Sequence, residues 1–266
     1  MSSTALLALP FQASVPTPAV RPAALPARAG HYQPACIRSL FDELAATYDC
    51  AAWLSGGLLG WWRARLAAAL PRPPGSLPAV IVDLMAGGAD LWPALRRRFG
   101  PGLRVAAIDF SAPMLARAAH HASNPALTLH CADALATPLP DAWATALTCA
   151  FGLKTLPTAA YPTLAAEAAR LLQPGGTLAL TELVLLPSGW QRGLLLHYLA
   201  AMPRLLGRLW PAATAHAALL RYARSGPDLP ALTMALRAAG FEQIQQQRLW
   251  PGCAVLISAR KPSEPL

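Results

Sequence analysis

Two short apolar runs that each end in an aspartate place the strongest constraint on the fold of this chain. The first run ends at Asp83 and is followed by the glycine pair Gly87 and Gly88. The second run ends at Asp109, about twenty residues after the glycines, which is the spacing of a βαβ unit that binds a ribose. Glycines let the backbone approach a ligand closely, and a carboxylate at the next strand end accepts hydroxyl groups. The block lacks the full glycine pattern of a dinucleotide or phosphate loop.

Strand-like and helix-like segments alternate along most of the chain, which predicts an α/β fold with a mostly parallel, doubly wound sheet. We predict strands at residues 79–85, 103–108, 127–131, 144–151 and 177–185. We predict helices at residues 91–98, 112–122 and 161–172, the last of which stops at a Gln-Pro-Gly-Gly turn. Two further strands, 241–249 and 253–260, are joined by the short link Trp-Pro-Gly and form a predicted antiparallel hairpin.

The amino-terminal segment 1–34 is rich in alanine and proline and contains no acidic residue. Proline removes backbone donors, so we expect a disordered extension, with an organelle transit peptide as the alternative. The five cysteines show no Cys-x-x-Cys spacing and indicate a reducing, cytoplasmic compartment.

The net charge of +9 could indicate nucleic acid or an anionic membrane surface as a partner. Basic stretches interleaved with aromatic residues and zinc-ligand spacings are missing, which argues against nucleic acid. No apolar run is long enough to predict a membrane-spanning helix. Segment 188–224 interrupts the alternation and is predicted to be a helical insert or lid. Within it, 188–210 combines apolar residues, arginines and terminal tryptophans, which suits either peripheral membrane contact or packing on the core.

Five blocks of sequence resemble, in the same order, the class I S-adenosylmethionine-dependent methyltransferases. Within that fold they are most similar to the ubiquinone/menaquinone biosynthesis C-methyltransferases. The blocks are Phe41–Asp49, the glycine block with Asp109–Leu115, Ala132–Asp141, Phe151–Lys154 and Leu171–Gly176. The resemblance implies a methyltransferase domain over 35–266. Its expected fold is a Rossmann-like, seven-stranded, mostly parallel sheet with an antiparallel last strand, helices on both faces and an inserted helical lid.

The resemblance also implies S-adenosylmethionine as the cofactor and assigns eight residues to it. These residues are Asp83, Gly87, Gly88, Asp109, Phe110, Asp133, Ala134 and Ala150. The first three would line the methionine part, the next two would meet the ribose and adenine, and the last three would lie at the adenine edge. Two simpler alternatives stay open: Asp109 could cap the helix that begins near Ser111, and Asp133 could be an ordinary loop carboxylate. No metal site is predicted.

The acceptor half departs further from the family pattern than the cofactor half does. The family's Phe-Gly-Leu-Arg-Asn is here Phe-Gly-Leu followed by Lys154 and Thr155, and the glycine block has Gly88 and Ala89 in place of a hydroxyl residue and another glycine. This suggests a lipophilic acceptor that need not be the respiratory quinone.

Four side chains are candidates for the acceptor chemistry, in which an adjacent hydroxyl must be deprotonated before a ring carbon becomes nucleophilic. Lys154 could be the cation that favours the phenolate. Tyr48, His197 and Tyr198 could orient or deprotonate the acceptor, although His197 lies on an apolar helix and could be structural. Two interpretations stay open for Glu182: a role in the site, or a structural ion pair.

The leading function is C-methylation of a quinone-like, phenolic or isoprenoid acceptor. An O- or N-methyltransferase of specialised metabolism would need a similar site. A third alternative is a catalytically silent, membrane-associated scaffold of the same fold, suggested by Ala89 and the basic helix. The sequence leaves the acceptor and the oligomeric state open.

Overall fold

The computed structural model describes residues 33–49, 55–73, 77–120, 126–185, 189–209, 222 and 226–263. Seven strands form one sheet: β1 Ala79–Leu84, β2 Leu103–Asp109, β3 Leu127–Cys131, β4 Ala144–Ala150, β5 Leu172–Leu183, β6 Glu242–Leu249 and β7 Ala254–Arg260. Their order across the sheet is β3-β2-β1-β4-β5-β7-β6. Only β7, among these strands, runs antiparallel to its neighbours β5 and β6. The predicted Rossmann-like sheet with an antiparallel last strand is therefore confirmed.

Helices flank the sheet: α1 Pro34–Leu44, α2 Leu58–Ala69, α3 Trp92–Phe99, α4 Ala112–Arg117, α5 Tyr161–Leu171, α6 Trp190–Leu209 and α7 Leu229–Ala238. The predicted helix 112–122 is shorter, because α4 passes into a 3₁₀ turn at Ala118–His120. Helix α6 lies in the predicted insert 188–224. Most of the extension 1–34 and, in that insert, residues 188, 210–221 and 223–224 lie outside the described residues.

The alternating side chains of the parallel strands build two cores, one on each face of the sheet. Ile81 and Val105 join the core that α2 and α3 cover. Val82 and Ala106 join the core that α5 and α7 cover. The expectation of helices on both faces is confirmed, and the sheet is held rigidly from both sides.

Strand β5 begins five residues earlier than predicted, at Leu172, because the Gln-Pro-Gly-Gly turn is accommodated inside the strand. Leu172 pairs with Ala144, and the next pairing joins Thr177 to Ala146, so residues 173–176 form a bulge. Gly175 has φ +76°, and its amide donates to the carbonyls of Lys261 and Pro262. The turn chemistry was predicted correctly, but its placement within a strand was not.

The strand order places a crevice at the carboxyl ends of β1 and β4. The chain leaves β1 toward β2 on one side, whereas β4 lies on the other side of β1. Ligands of open α/β sheets bind where the connections diverge in this way. The loops after β1, β2 and β4 are therefore the first place to look for a site. Within the described residues, no helix is long and apolar enough to cross a membrane.

Candidate active site

In the sharp turn after β1, alternate residues have left-handed backbone conformations. Met85, Gly87 and Ala89 have φ values of 54°, 57° and 57°. A Cβ at Gly87 would lie 3.0 Å from the terminal methyl of Met114, so this position favours glycine for space as well as conformation. Ala89, where the family pattern has glycine, adopts a backbone that costs a residue with a Cβ about 1–2 kcal/mol. Its methyl group is buried in the core, which offsets part of that cost.

Asp109, at the end of β2, fixes this loop to the start of α4. Its Oδ2 accepts a hydrogen bond from the Gly87 amide at 2.8 Å, and its Oδ1 accepts one from the Ser111 amide at 2.9 Å. Burial raises the pKa of the carboxyl group, although the amide hydrogen bonds oppose this. The side-chain cap of α4 is the Ser111 hydroxyl, which accepts from the Met114 amide at 3.3 Å. A carboxylate has about four acceptor sites, so Asp109 keeps the capacity to accept a ligand hydroxyl beside these amides.

Asp83, at the end of β1, is a nearly fully buried carboxyl group that faces the same crevice. The Thr148 hydroxyl on β4 donates to its Oδ1 at 2.8 Å. Burial raises the pKa of Asp83 to about 7, although the Thr148 hydrogen bond lowers it. A cationic ligand group beside Asp83 would therefore gain a strong partner.

These loops and α1 line a cleft at the carboxyl ends of β1, β2 and β4. Five of the eight predicted cofactor residues line it: Asp83, Gly87, Asp109, Phe110 and Ala150. Its lining comes from the ends of three strands and combines acidic, apolar and backbone groups, which suits a ligand with several chemically distinct parts.

The other three predicted cofactor residues lie outside the lining. Gly88 is buried behind the loop, where an added Cβ would lie 3.2 Å from Arg117 Nε. Asp133 is exposed, and its Oδ1 accepts from the Leu135 amide at 2.9 Å, as in a loop carboxylate. Ala134 is buried in the core of the α5 face. Their predicted contact with a cofactor stays a prediction.

The loop that carries Asp133 is anchored to α5 by a charged network. Glu167 Oε1 accepts from the amide and the hydroxyl of Thr137 at 2.8 and 2.7 Å. Arg170 donates to both Glu167 oxygens and to the Leu139 carbonyl. Burial opposes ionisation of Glu167, but these hydrogen bonds prevail and lower its pKa. The loop beside the β3 end is therefore held in a defined position.

Helix α1 closes the cleft from the amino-terminal side. Asp42 accepts a 2.5 Å hydrogen bond from the Ser111 hydroxyl. The Arg38 guanidinium carbon lies 5.4 Å from the centre of the Phe110 ring, and Phe41 lines the cleft. The amino-terminal helix therefore forms one wall of the cleft and is tied to the elements that carry Asp109.

Tyr48, a predicted catalytic residue, lines the cleft. The Arg117 guanidinium carbon lies 5.5 Å from the centre of its ring, and the same side chain donates to the Ala45 carbonyl at 2.7 Å and pairs with Asp49. Burial raises the pKa of Tyr48 to about 12. Its hydroxyl therefore stays protonated at neutral pH, where it can donate a hydrogen bond but is a poor base.

Lys154 is buried beside the cleft rather than in its lining. Its amide donates to Glu182 Oε2 at 2.9 Å, and its ammonium group donates to Glu182 Oε1 at 3.3 Å and to the Phe151 carbonyl. Glu182, fully buried, also accepts from the Leu183 amide at 2.7 Å. The geometry favours the structural-ion-pair alternative for Glu182. It joins the end of β5 to the turn after β4.

His197 lies on α6 and is exposed. Its Nδ1 is 3.3 Å from the carbonyl of Gly193, one turn earlier in the same helix. It is not among the residues that line the cleft. Tyr198 is also exposed on α6. The structure therefore brings Tyr48 to the cleft and leaves these two side chains away from it.

Arg63 is a cleft residue that the sequence reasoning missed. It lies on α2, and its side chain is only 10% exposed. Its Nη2 donates to Asp90 Oδ2 at 3.1 Å, and its guanidinium carbon lies 5.7 Å from the centre of the Phe151 ring. The sequence did contain a signal for it: Arg63 directly follows a tryptophan pair in an apolar helix. A charge in such surroundings is costly unless it has a partner, so its presence indicates one.

The comparisons with known proteins agree with this geometry. A family model described as a methyltransferase domain matches residues 81–176. The chain is 33% identical over 229 residues to the demethylmenaquinone methyltransferase of Thermus thermophilus, which covers 84% of this chain and 100% of that protein. It is 33% identical over 149 residues to the ubiquinone/menaquinone biosynthesis C-methyltransferase UbiE of Caulobacter vibrioides, covering 53% of this chain and 57% of that protein.

Among solved structures, human N-acetylserotonin methyltransferase in complex with SAM has a similar fold. The TM-score is 0.52 and the identity 18%, over 90% of this chain and 60% of that one. At this identity the likeness concerns the fold alone.

The buried pair of Lys154 and Glu182 gives a stability prediction. Lys154→Met leaves the Glu182 carboxylate buried without its cation, so the free energy of unfolding should fall by about 3–5 kcal/mol. The double variant Lys154→Met/Glu182→Gln removes both charges and keeps a side-chain oxygen for the Lys154 and Leu183 amides, so it should recover part of this loss. Denaturant unfolding followed by circular dichroism measures both values.

The control is Asp141→Asn, which breaks the exposed pair of Asp141 and Arg170 and should cost less than about 1 kcal/mol. A Lys154→Met variant no less stable than this control would contradict the structural role of the pair.

Proposed function

Because the chain belongs to the ubiquinone/menaquinone biosynthesis C-methyltransferase family of class I S-adenosylmethionine-dependent methyltransferases, we propose that it methylates a ring carbon of a lipophilic, quinone-like acceptor. The observation that carries this proposal is the cleft in which Asp83, Gly87 and Asp109 converge at the ends of β1 and β2. The relatives named above act on quinone precursors according to their names, and this supports an acceptor of the same chemical class.

The residues of the cleft fit S-adenosylmethionine. Gly87 lines the cleft without a side chain, and Asp109 keeps acceptor capacity for a ribose hydroxyl. The carboxylates of Asp83 and Asp90 suit the positive charges of the methionine part, and Phe110 offers an apolar surface for the adenine. S-adenosylmethionine supplies an electrophilic methyl group when it is bound.

The protein's contribution to the reaction is positioning and charge stabilisation. Methyl transfer needs the acceptor carbon in line with the methyl group, so a rigid cleft supplies much of the rate. The raised pKa of Tyr48 supports a role in orienting the acceptor. A protonated phenol can donate a hydrogen bond to a developing phenolate oxygen. For Lys154 the ion pair with Glu182 supports a positioning role, in which it holds the turn after β4 as a wall of the cleft.

The activity is tested by incubating the protein with S-adenosylmethionine and a demethylated naphthoquinol or benzoquinol. Fragmentation mass spectrometry of the product should place the added methyl group on a ring carbon. Methylation on oxygen or nitrogen would favour the alternative enzyme classes instead. Absence of methylated product from any such acceptor, with the cofactor bound, would favour the scaffold.

The buried carboxyl group of Asp83 predicts a pH-dependent affinity for the cofactor. Its pKa of about 7 means that about half the free protein carries a protonated Asp83 at neutral pH. A cationic ligand favours the ionised form, so binding releases a proton and tightens as pH rises. Affinity should be about tenfold lower at pH 6 than at pH 8, because each unit below the pKa reduces the ionised fraction about tenfold.

Calorimetric titration with S-adenosylmethionine across this pH range measures the effect. Asp83→Asn removes the titrating group and should bind more weakly but with a nearly flat pH dependence. An equally steep dependence in Asp83→Asn would assign the effect to another group.

We further propose that α6 contacts an anionic membrane surface, where a lipophilic acceptor would reside. Its exposed face carries Trp190, Leu194 and Leu205, which are 75%, 62% and 52% exposed. Arg204 and Arg208 are exposed on the same helix, and Trp190–Leu209 contains no acidic residue. A helix that combines exposed apolar side chains with arginine is suited to lie in the interface of an anionic bilayer.

Flotation with vesicles tests this contact. The protein should float with vesicles that contain anionic lipid and less with purely zwitterionic ones. The variant Trp190→Ser/Leu194→Ser should lose most of this binding. Met234→Ser is the matched control, because Met234 is 67% exposed on α7 instead, and it should float like the unchanged protein. Equal flotation of both variants would contradict the assignment to α6.

A further inference from the structure

Arg63 stands out because, in the part of the chain that the structure describes, it is the one cationic side chain that lines the cleft, where three carboxylates also converge. We propose that Arg63 binds the α-carboxylate of the methionine part of S-adenosylmethionine. This inference deepens the function proposed above and rests on its cofactor.

The contacts of Arg63 place it at the methionine end of the cleft. It bonds to Asp90, which follows the glycine loop after β1, and it stacks on Phe151, which follows β4. Asp109, the residue suited to a ribose, lies at the end of β2, on the far side of β1 from β4. A ligand whose ribose meets Asp109 and whose amino-acid part extends along the glycine loop therefore reaches the side where Arg63 lies.

The hydrogen bonding of Arg63 leaves donors for a ligand. A guanidinium group has five N–H donors, and the bond from Nη2 to Asp90 is the one hydrogen bond that Arg63 makes among the described residues. Three side-chain atoms of the described residues are fully buried without a partner, and they belong to Thr47, Arg98 and Arg117. The unpaired nitrogens of Arg63 are therefore accessible. The remaining donors therefore reach open space, and the side chain that carries them lines the cleft.

The surroundings of the guanidinium also fix its orientation. The Asp90 carboxylate holds one edge, and the Phe151 ring supports one face at 5.7 Å from its centre. A planar cation held in this way can form paired hydrogen bonds with a carboxylate at little further cost in side-chain entropy. The other charged side chains of the cleft are acidic and would repel that carboxylate. They suit the ammonium and sulfonium groups instead.

The competing role is a direct contact with the acceptor, because a cation also stabilises a phenolate. The two roles make different predictions for binding in the absence of an acceptor. A carboxylate contact changes the affinity for any ligand that carries the amino-acid carboxylate. An acceptor contact changes turnover and leaves that affinity unchanged.

The test compares two ligands that differ in the carboxylate alone: S-adenosylhomocysteine and its decarboxylated analogue, 5′-S-(3-aminopropyl)-5′-thioadenosine. Calorimetry measures the affinity of the full chain for each. The unchanged protein should prefer S-adenosylhomocysteine. Arg63→Gln should bind it about 10- to 100-fold more weakly, which is the effect of losing a charge-assisted contact, and should bind the analogue within about twofold of the unchanged protein.

Two variants control for indirect effects. Arg65→Gln changes an exposed arginine on the same helix, whose guanidinium carbon lies 5.9 Å from the Trp61 ring centre, and should leave both affinities unchanged. Arg63→Lys keeps the charge without the planar fork and should restore part of the preference for the carboxylate ligand.

The ratio of the two affinities decides the outcome. If Arg63→Gln weakens both ligands equally, or weakens neither, the proposed contact is overturned while the cofactor assignment stands. If the unchanged protein binds neither ligand, the cofactor assignment itself fails and the contact fails with it.

Discussion

The bridge that Asp109 forms between the Gly87 and Ser111 amides is the interaction on which the cleft depends. One carboxylate joins the end of β2, the glycine loop after β1 and the first turn of α4. The hydroxyl of Ser111 then caps α4 and donates to Asp42, which ties α1 over the cleft. Loss of this carboxylate would leave the buried Ser111 amide and the partly buried Gly87 amide unpaired, so the loop, helix and amino-terminal wall depend on the same group.

Buried charge at the sheet's carboxyl edge is arranged in pairs that separate structural from ligand-binding roles. Lys154 and Glu182 satisfy one another and the backbone around them, so they fix the turn after β4. Among the described residues, Arg63 is only partly satisfied by Asp90, and Asp83 has one side-chain hydrogen bond, from Thr148. Groups left with unused donors or acceptors in a cleft are the ones available to a ligand.

The sequence predicted the elements whose signals are local, and it failed where distant segments meet. The hydrophobic period, the turn residues and the order of the sequence blocks were enough to predict the seven strands. They were also enough to place Asp109 at a strand end. The pairing of Lys154 with Glu182 was visible only as an open alternative, because two residues 28 positions apart meet through the sheet. Arg63 was missed because its partners, Asp90 and Phe151, follow different strands. The exposure of His197 depends on which face of α6 points to solvent. The spacing of apolar residues in this helix did not specify that face.

The most direct measurement is a crystal structure of the protein with S-adenosylhomocysteine at about pH 8. We expect ligand density in the cleft, with the ribose hydroxyls within about 3 Å of the Asp109 oxygens and the amino-acid part along the loop that carries Gly87. Density elsewhere, or a ribose outside hydrogen-bonding distance of Asp109, would contradict the cofactor site described for this chain.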